Sequence, residues 1–313
     1  MSKGVLVYAR NNDYIDYTKQ AYHLALRIKQ FLDLPVSIVT DSIPYIKKAG
    51  YDKAFDQLIP IDSKETYRKL SRDRKPRPSW NKDDGTSDEN LVMLDHNSAN
   101  RRYYDGTLSN KVLPFRNGLR SAAYHMTPYD ETLLLDTDLV IMDDLYKHCF
   151  THDHDLLMYS NSYDLAGFRD PFEFKYISPT SVKFYWATAV FFRKTPENKI
   201  FFELVQHIQE NWYHYRTIFQ ISASLYRNDF AFSIAAHIMN GYQDSNFVHE
   251  MPGKLFFTTD RDILWELRDN HAIFLLEKDD YVGEYTLCAW KDRTIHVMNK
   301  FSLERIYDGV GHE

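Results

Sequence analysis

Two carboxylates one residue apart interrupt an apolar run, Thr132-Leu133-Leu134-Leu135-Asp136-Thr137-Asp138-Leu139-Val140-Ile141-Met142. In an extended chain residues i and i+2 face the same side, so Asp136 and Asp138 are expected to point together. At the end of a buried strand such a pair loses hydration and repels itself. A hard divalent cation relieves both penalties, and Mn²⁺ or Mg²⁺ favours oxygen-rich ligation completed by substrate phosphates. The alternative is a pair of solvated turn residues, but the apolar flanks argue for a core strand. A second polar group lies in the tail, Thr294-Ile295-His296-Val297-Met298-Asn299-Lys300. A lone histidine is more often a structural hydrogen-bonder than a ligand; beside an Asp-x-Asp pair, its imidazole can complete a Mn²⁺ site. Lys300, expected in a loop, can hold a diphosphate.

These groups need elements to carry them. Val5-Leu6-Val7-Tyr8-Ala9 reads as a buried strand, and Arg10-Asn11-Asn12-Asp13-Tyr14 as a polar loop. Ala21, Leu24, Ala25, Ile28 and Phe31 recur at helical spacing, which predicts a helix from about Ile15 to Leu32. Pro35 to Thr40 is the next strand, closed by Asp41, and Leu58 to Ile61 a third. Strand, helix, strand predicts a parallel sheet, whose ligands gather at the carboxyl ends of its strands. Ala9, Asn11, Asp13, Tyr14 and Asp41 would all sit there.

Residues 63–110 are polar and rich in turn chemistry, and are expected to form a partly ordered lid or acceptor-binding loop. Lys111 to Met126 reads as a helix with Arg116 and Arg120 on one face. Asp155 to Tyr159 and Thr188 to Phe192 read as strands. Thr195-Pro196 opens a helix as cap and first residue, and a further helix is expected from Asp229 to Asn240, capped by Asn228 and stopped by Gly241. The tail alternates short strands: Lys254 to Thr258, Ala272 to Leu276, Tyr285 to Trp290 and Thr294 to Val297. A helical turn is expected over Glu304 to Tyr307. No proline- or glycine-rich linker divides the chain. The expected architecture is one α/β domain, a Rossmann-like, mostly parallel central sheet flanked by helices, with an extended C-terminal part.

Other groups have two readings. Asp229 can hold substrate hydroxyls or act as a base, or simply serve a helix start. Trp186 can stack on a sugar or pack in the core. His152-Asp153-His154-Asp155 looks like a metal cluster, yet neighbouring residues alternate faces, which favours a solvated loop. The basic run from Arg72 to Arg77, with Trp80 nearby, suits a phosphorylated or nucleic-acid ligand or a solvated loop.

Composition narrows the class. The 313 residues are 44% hydrophobic and 26% charged, as in a globular protein. A net charge of −6 without a long basic tract argues against tight nonspecific binding to nucleic acid or anionic membrane. Cys149 and Cys288 lie far apart without metal-type spacing, so a reducing, cytoplasmic setting is expected. No signal peptide and no bilayer-length apolar run is expected.

The order of these parts resembles nucleotide-sugar-dependent glycosyltransferases of the GT-A fold, in the branch around glycosyltransferase family 8. Ala9 to Tyr14 resembles the first-strand loop that holds the nucleotide base, and Arg120 an arginine that contacts the donor. Leu133-Leu134-Leu135-Asp136-Thr137-Asp138 resembles the Leu-Asp-x-Asp metal motif. His296 and Lys300 resemble the C-terminal pair that binds metal and diphosphate. Arg10 stands where the family usually carries Asp, and Phe301-Ser302 follows Lys300 where it usually continues Pro-Trp. The resemblance implies a metal-dependent transferase of a sugar from a UDP-sugar to an acceptor, with retention. Residues 1–62 and 111–160 would form the nucleotide and metal core, and 161–313 the acceptor side and the metal and diphosphate segment. Arg120 and Asp229 would be catalytic; Arg116 would help bind the donor. Asp136, Asp138 and His296 would hold the metal, with Asp136 also near the ribose. A nucleotidyltransferase acting on a sugar phosphate is a second reading, although the loop Arg10-Asn11-Asn12-Asp13 lacks the usual glycines. A non-catalytic carbohydrate-binding protein on the same fold is a third.

Overall fold

The computed structural model describes residues 1–12, 14–61, 99–104, 110–115, 118–167, 174–178, 182–221, 226–243, 247–258, 261–277 and 284–309. Strands β1 (Lys3–Tyr8), β2 (Val36–Thr40) and β3 (Gln57–Pro60) form the expected βαβ opening around helix α1 (Tyr17–Arg27). Asp16 caps α1 by accepting the Lys19 N–H at 3.0 Å. The predicted helix continues as a π-helical turn over Ile28–Leu32. Helix α2 (Ile43–Ala49) follows β2.

The sequence expectation fails most clearly at 111–126. Strand β5 (Asn110–Phe115) pairs with β4 (Ala99–Tyr104), and helix is confined to a 3₁₀ turn at Gly118–Ala122 and the short α3 (Ala123–Met126). Pro114 has no N–H to give a helix and disfavours helical geometry at Leu113, and Gly118 weakens helical propensity beyond it. The end of the expected 63–110 loop is likewise strand β4; residues 62–98 and 105–109 lie outside the described residues.

Strand β6 (Glu131–Leu135) lies beside β1, and a turn carries the chain into β7 (Leu139–Val140). Strands β8 (Leu156–Tyr159), β9 (Ser162–Asp164) and β10 (Trp186–Arg193) come next. Helices α4 (Pro196–Glu210), α5 (Trp212–Ile218) and α6 (Asn228–Met239) lead to β11 (His249–Glu250). Thr195 caps α4 as expected, accepting the Asn198 N–H at 3.2 Å. Helix α6 starts one residue earlier than expected, with Arg227 rather than Asn228 at the cap. The central sheet has the order β11-β8-β10-β6-β1-β2-β3. Every strand but β10 runs in one direction. This is the mostly parallel, helix-flanked α/β sheet expected. Covered on both faces, β2 and β6 are buried along their whole length, which is why their sequences read as apolar runs.

The tail adds β12 (Leu255–Thr258), β13 (Leu264–Leu267), β14 (His271–Glu277), β15 (Tyr285–Lys291) and β16 (Ile295–Val297). A four-stranded sheet β7-β16-β12-β9 ties this tail to the turn after β6. It has its own apolar cluster, with Val140, Met142, Phe274, Ile295 and Leu303. The final helix α7 (Lys300–Gly309) is longer than the single turn expected and begins at Lys300. Asn299 caps it by accepting the Ser302 N–H at 2.8 Å.

Helix α7 is docked on α1. Lys19 bonds Glu304 at 3.3 Å and also reaches Asp308, and Gln20 Nε2 donates to the Lys300 carbonyl at 3.3 Å. His23 stacks on Tyr307 with centroids 4.0 Å apart and planes 7° off parallel. Burial, aided by the Lys19 and Arg27 charges, lowers the His23 imidazole to about 4. In an unfolded chain it titrates at about 6.5. The unfolded state therefore binds the extra proton first as pH falls. Stability that His23 leaves intact above about 6.5 is lost progressively down to about 4. His23→Phe keeps the stack and removes the titration. Urea unfolding of both chains from pH 7.5 to 4 is expected to give a shallower acid loss in the variant; identical slopes would contradict this.

Candidate metal and donor site

Asp136 and Asp138 do not lie on an extended strand. Glu131–Leu135 ends just before them, and Thr137-Asp138 is a turn. The turn is held by the Asp136 N–H, which donates to the Thr188 carbonyl at 2.9 Å. Strand β16 is laid against it, with His296 opposite Leu139 and the Val297 N–H donating to the Asp138 carbonyl at 3.0 Å. On its other edge β16 pairs with β12, where Phe257 faces His296. Strand pairing, not the i to i+2 rule, thus brings the imidazole to the carboxylates.

One ligand atom each from Asp136, Asp138 and His296 lie within 4.8 Å of one another. His296 Nε2 is 2.9 Å from Asp138 Oδ2, and the Lys300 ammonium donates to the same oxygen and to the Met298 carbonyl at 3.1 Å. Asp138 and His296 keep only 4% and 6% of their side-chain exposure, whereas Asp136 keeps 25%. The cluster therefore meets solvent at Asp136. Two hard carboxylates and an imidazole form a donor set that fits Mn²⁺ or Mg²⁺.

Arg120, on the 3₁₀ turn, is buried and donates through Nη1 to Asp136. Its Nε and Nη2 find no partner among the described residues, and neither does the nearby Tyr8 hydroxyl. Buried donors are normally satisfied, so this guanidinium edge is a place for an anionic ligand. Electrostatics sort the two carboxyls. Burial opposes ionisation of Asp138, but the His296 and Lys300 charges outweigh it and hold this carboxyl well below the usual range. At Asp136 burial prevails over the Arg120 charge, and with the repulsion of Asp138 it raises the carboxyl.

The remaining candidates divide. Ala9 follows β1, buried, with its N–H on the Val39 carbonyl at 3.0 Å. Asn11 is engaged in its own loop, donating to Asp16 at 2.9 Å and accepting the Thr18 N–H at 2.9 Å. Asp41, at the end of β2, accepts from Arg10 Nε at 2.8 Å. Tyr14 is exposed. Ala9 and Asp41 follow the carboxyl ends of β1 and β2, as expected of the sheet, and Asn11 and Tyr14 lie in the segment after β1. Asp13 and Arg116 lie outside the described residues, as does the Arg72 to Arg77 run.

Asp229 is tied up in framework bonds. Its Oδ1 accepts the Ala187 N–H at 2.9 Å, and its Oδ2 accepts from Arg227 at 2.8 Å and 3.1 Å. It aligns the start of β10, one residue from the carbonyl that holds Asp136. Trp186 is fully buried among Phe174, Phe184 and Phe257 and stands edge-on to His296 at 6.3 Å, so it backs the imidazole rather than facing a sugar. Nothing in local spacing signals that pairing, because Trp186 and His296 meet only through the packing of two sheets. His152 and His154 lie with His249 at the β8–β11 edge, away from the carboxylates, with rings of the latter two stacked.

No family model matches the chain, and no curated protein matches it. Among solved structures it is similar to the galactosyltransferase LgtC in complex with donor and acceptor sugar analogues, at 11% identity and a TM-score of 0.43, covering 79% of this chain and 72% of that one. It is also similar to the glycosyltransferase GlyE of Streptococcus pneumoniae, at 11% identity and a TM-score of 0.38, covering 80% of this chain and 45% of that one.

Arg120→Met tests the electrostatics. Removing the guanidinium leaves a raised, mostly buried carboxyl without its counter-charge. Above the unfolded value the free carboxyl ionises while the folded one, raised further, resists, so the cost of the substitution grows with pH, whereas a protonated Asp136 loses little. The variant is expected to lose about 2 kcal/mol at pH 7, discounted for the open side of Asp136, and less at pH 4. Urea unfolding at the two pH values decides; an equal loss at both would show that Arg120 serves only packing.

Proposed function

We propose that the chain is a metal-dependent glycosyltransferase of GT-A type, which takes a UDP-sugar and passes its sugar to an acceptor with retention. The observation that supports this most is the convergence of Asp136, Asp138 and His296 between two cations, Arg120 and Lys300. Such a site suits a leaving group that departs with negative charge. In the transfer, the bond from the anomeric carbon to the diphosphate oxygen breaks as that to the acceptor oxygen forms; the diphosphate carries away the electron pair, and the proton of the acceptor hydroxyl passes to the departing diphosphate oxygen. A divalent cation, Mn²⁺ or Mg²⁺, would supply Lewis-acid stabilisation of that diphosphate.

The protein's own groups do the rest. Asp136, Asp138 and His296 would ligate the cation, and Asp136, at the open side, also suits contact with the ribose. Lys300 lies on Asp138 Oδ2, one of the oxygens a cation would take. Loading would turn its ammonium from Asp138 to the diphosphate, so the lysine serves as counter-charge in both conditions. The unpaired edge of Arg120 would hold the donor. We assign Asp229 to positioning β10 and Asp136, through Ala187 and Thr188. Ala9, Asn11, Asp13, Tyr14 and Asp41 remain the proposed nucleoside side of the site, with Arg116 beside the phosphates. Residues 161–313 would supply the acceptor side in one domain with the donor core. A reducing, cytoplasmic setting suits the two free thiols, Cys149 and Cys288. Among the described residues no helix is long and apolar enough to cross a membrane.

Calorimetry with UDP tests this. UDP is expected to bind in the presence of Mn²⁺ and about tenfold or more weakly without it, and Asp138→Asn, close in shape, is expected to abolish the difference. UDP binding of equal strength with and without metal, or none at all, would overturn the proposal.

A further inference from the structure

Lys300 and His296 converge on one oxygen. The Lys300 ammonium donates to Asp138 Oδ2, and His296 Nε2 lies 2.9 Å from the same atom. All three residues are buried. Asp138 also belongs to the triad whose ligand atoms lie within 4.8 Å of one another. A cation at that triad therefore meets a carboxylate that Lys300 already holds.

The charges lead to the same point. Two carboxyls, Asp136 and Asp138, face two fixed cations, Arg120 and Lys300. The cluster is matched with nothing bound. A divalent ion entering alone would add two positive charges to buried, already matched groups, which is costly. A divalent ion entering with a diphosphate brings its own counter-charge.

The backbone shows what can move. The Lys300 carbonyl accepts Gln20 Nε2 at 3.3 Å, and α7 is docked on α1 through the Lys19–Glu304 pair and the His23–Tyr307 stack. The main chain of Lys300 is thus pinned, while its ammonium sits on a flexible stem. The ammonium also donates to the Met298 carbonyl at 3.1 Å, so giving up Asp138 does not leave it bare.

We propose that Lys300 is an internal stand-in for the cation, holding Asp138 while the site is empty, so that a divalent ion and a nucleoside diphosphate bind well only together. This rests on the glycosyltransferase reading. The diphosphate draws the ammonium off Asp138 and frees that oxygen for ligation. By reciprocity, the nucleotide strengthens metal binding by the factor with which metal strengthens nucleotide binding. A chain without nucleotide takes up little free divalent ion.

Mn²⁺ titrations read by EPR of the free ion, with and without saturating UDP, test this. The wild type is expected to bind Mn²⁺ about tenfold or more tightly with UDP than alone. Lys300→Gln is expected to bind Mn²⁺ alone about tenfold more tightly than the wild type does, yet to bind UDP more weakly when Mn²⁺ is present. These opposite changes separate a stand-in from a lysine that only holds phosphate, which would weaken UDP binding and leave Mn²⁺ alone unchanged. Thermal unfolding gives a second readout. Mn²⁺ alone is expected to raise the Tm of Lys300→Gln by more than it raises that of the wild type, or to fold the variant if it is unfolded without metal. Lys300→Arg keeps a cation on Asp138 and is expected to bind Mn²⁺ alone no more tightly than the wild type. Equal Mn²⁺ affinity of Lys300→Gln and wild type without UDP, or a tenfold gain in Lys300→Arg, would overturn the assignment while leaving the transferase reading intact. A wild-type chain that binds no Mn²⁺ even with UDP contradicts the metal-dependent reading itself, and the stand-in role with it.

Discussion

The ionised, buried carboxylate of Asp138 is the constraint around which the site is built. A charge at 4% exposure is costly unless it is paired. Here one oxygen meets both an imidazole and an ammonium. Both partners come from the last strand and helix of the chain, so satisfying this one charge requires the tail to be sewn onto the central sheet. Strand β16 does so at the backbone, helix α7 through Lys300, and helix α1 steadies α7 from behind. The same geometry that stabilises the carboxylate leaves it poised for exchange. What an imidazole and an ammonium do for Asp138, a divalent ion would do in the proposed loaded site, with a phosphate as the lysine's new partner.

Asp136 is the counterpart, more open, with a raised carboxyl and a buried arginine at its back. Two carboxyls two residues apart are thus driven in opposite directions by their surroundings. The difference lies in placement. Asp138 is enclosed where β16 pairs with β7, while Asp136 keeps a quarter of its side chain open to solvent. Its main chain is anchored to β10, which is in turn held by Asp229 and by the Trp186 cluster.

Much of this was readable from sequence for short-range reasons. Apolar runs marked β1, β2, β6 and β10 because a sheet covered on both faces needs them. The spacing Asp136-Thr137-Asp138 marked the carboxylates, although a turn rather than a strand makes them converge. The Lys111 to Met126 helix was misread because an apolar face at helical spacing outweighed Pro114 and Gly118, whose backbone chemistry decided the outcome. Asp229 carried the residue type of a base, but its geometry is that of a brace. The meeting of Asp138 and His296, 158 residues apart, follows from sheet pairing that no local pattern encodes; ligand chemistry and the resemblance suggested the pair, not the route by which it forms. The docking of α7, and with it the position of Lys300, likewise depends on contacts with α1.

Pulsed EPR of bound Mn²⁺ asks most directly whether Asp136, Asp138 and His296 form one cation site. With UDP present, the wild-type chain should show electron–nuclear coupling to one histidine nitrogen. His296→Gln should abolish that coupling and weaken Mn²⁺ binding while leaving the fold in place. A Mn²⁺ signal with no nitrogen coupling in the wild type, or one unaffected by His296→Gln, would contradict a metal centre at these residues.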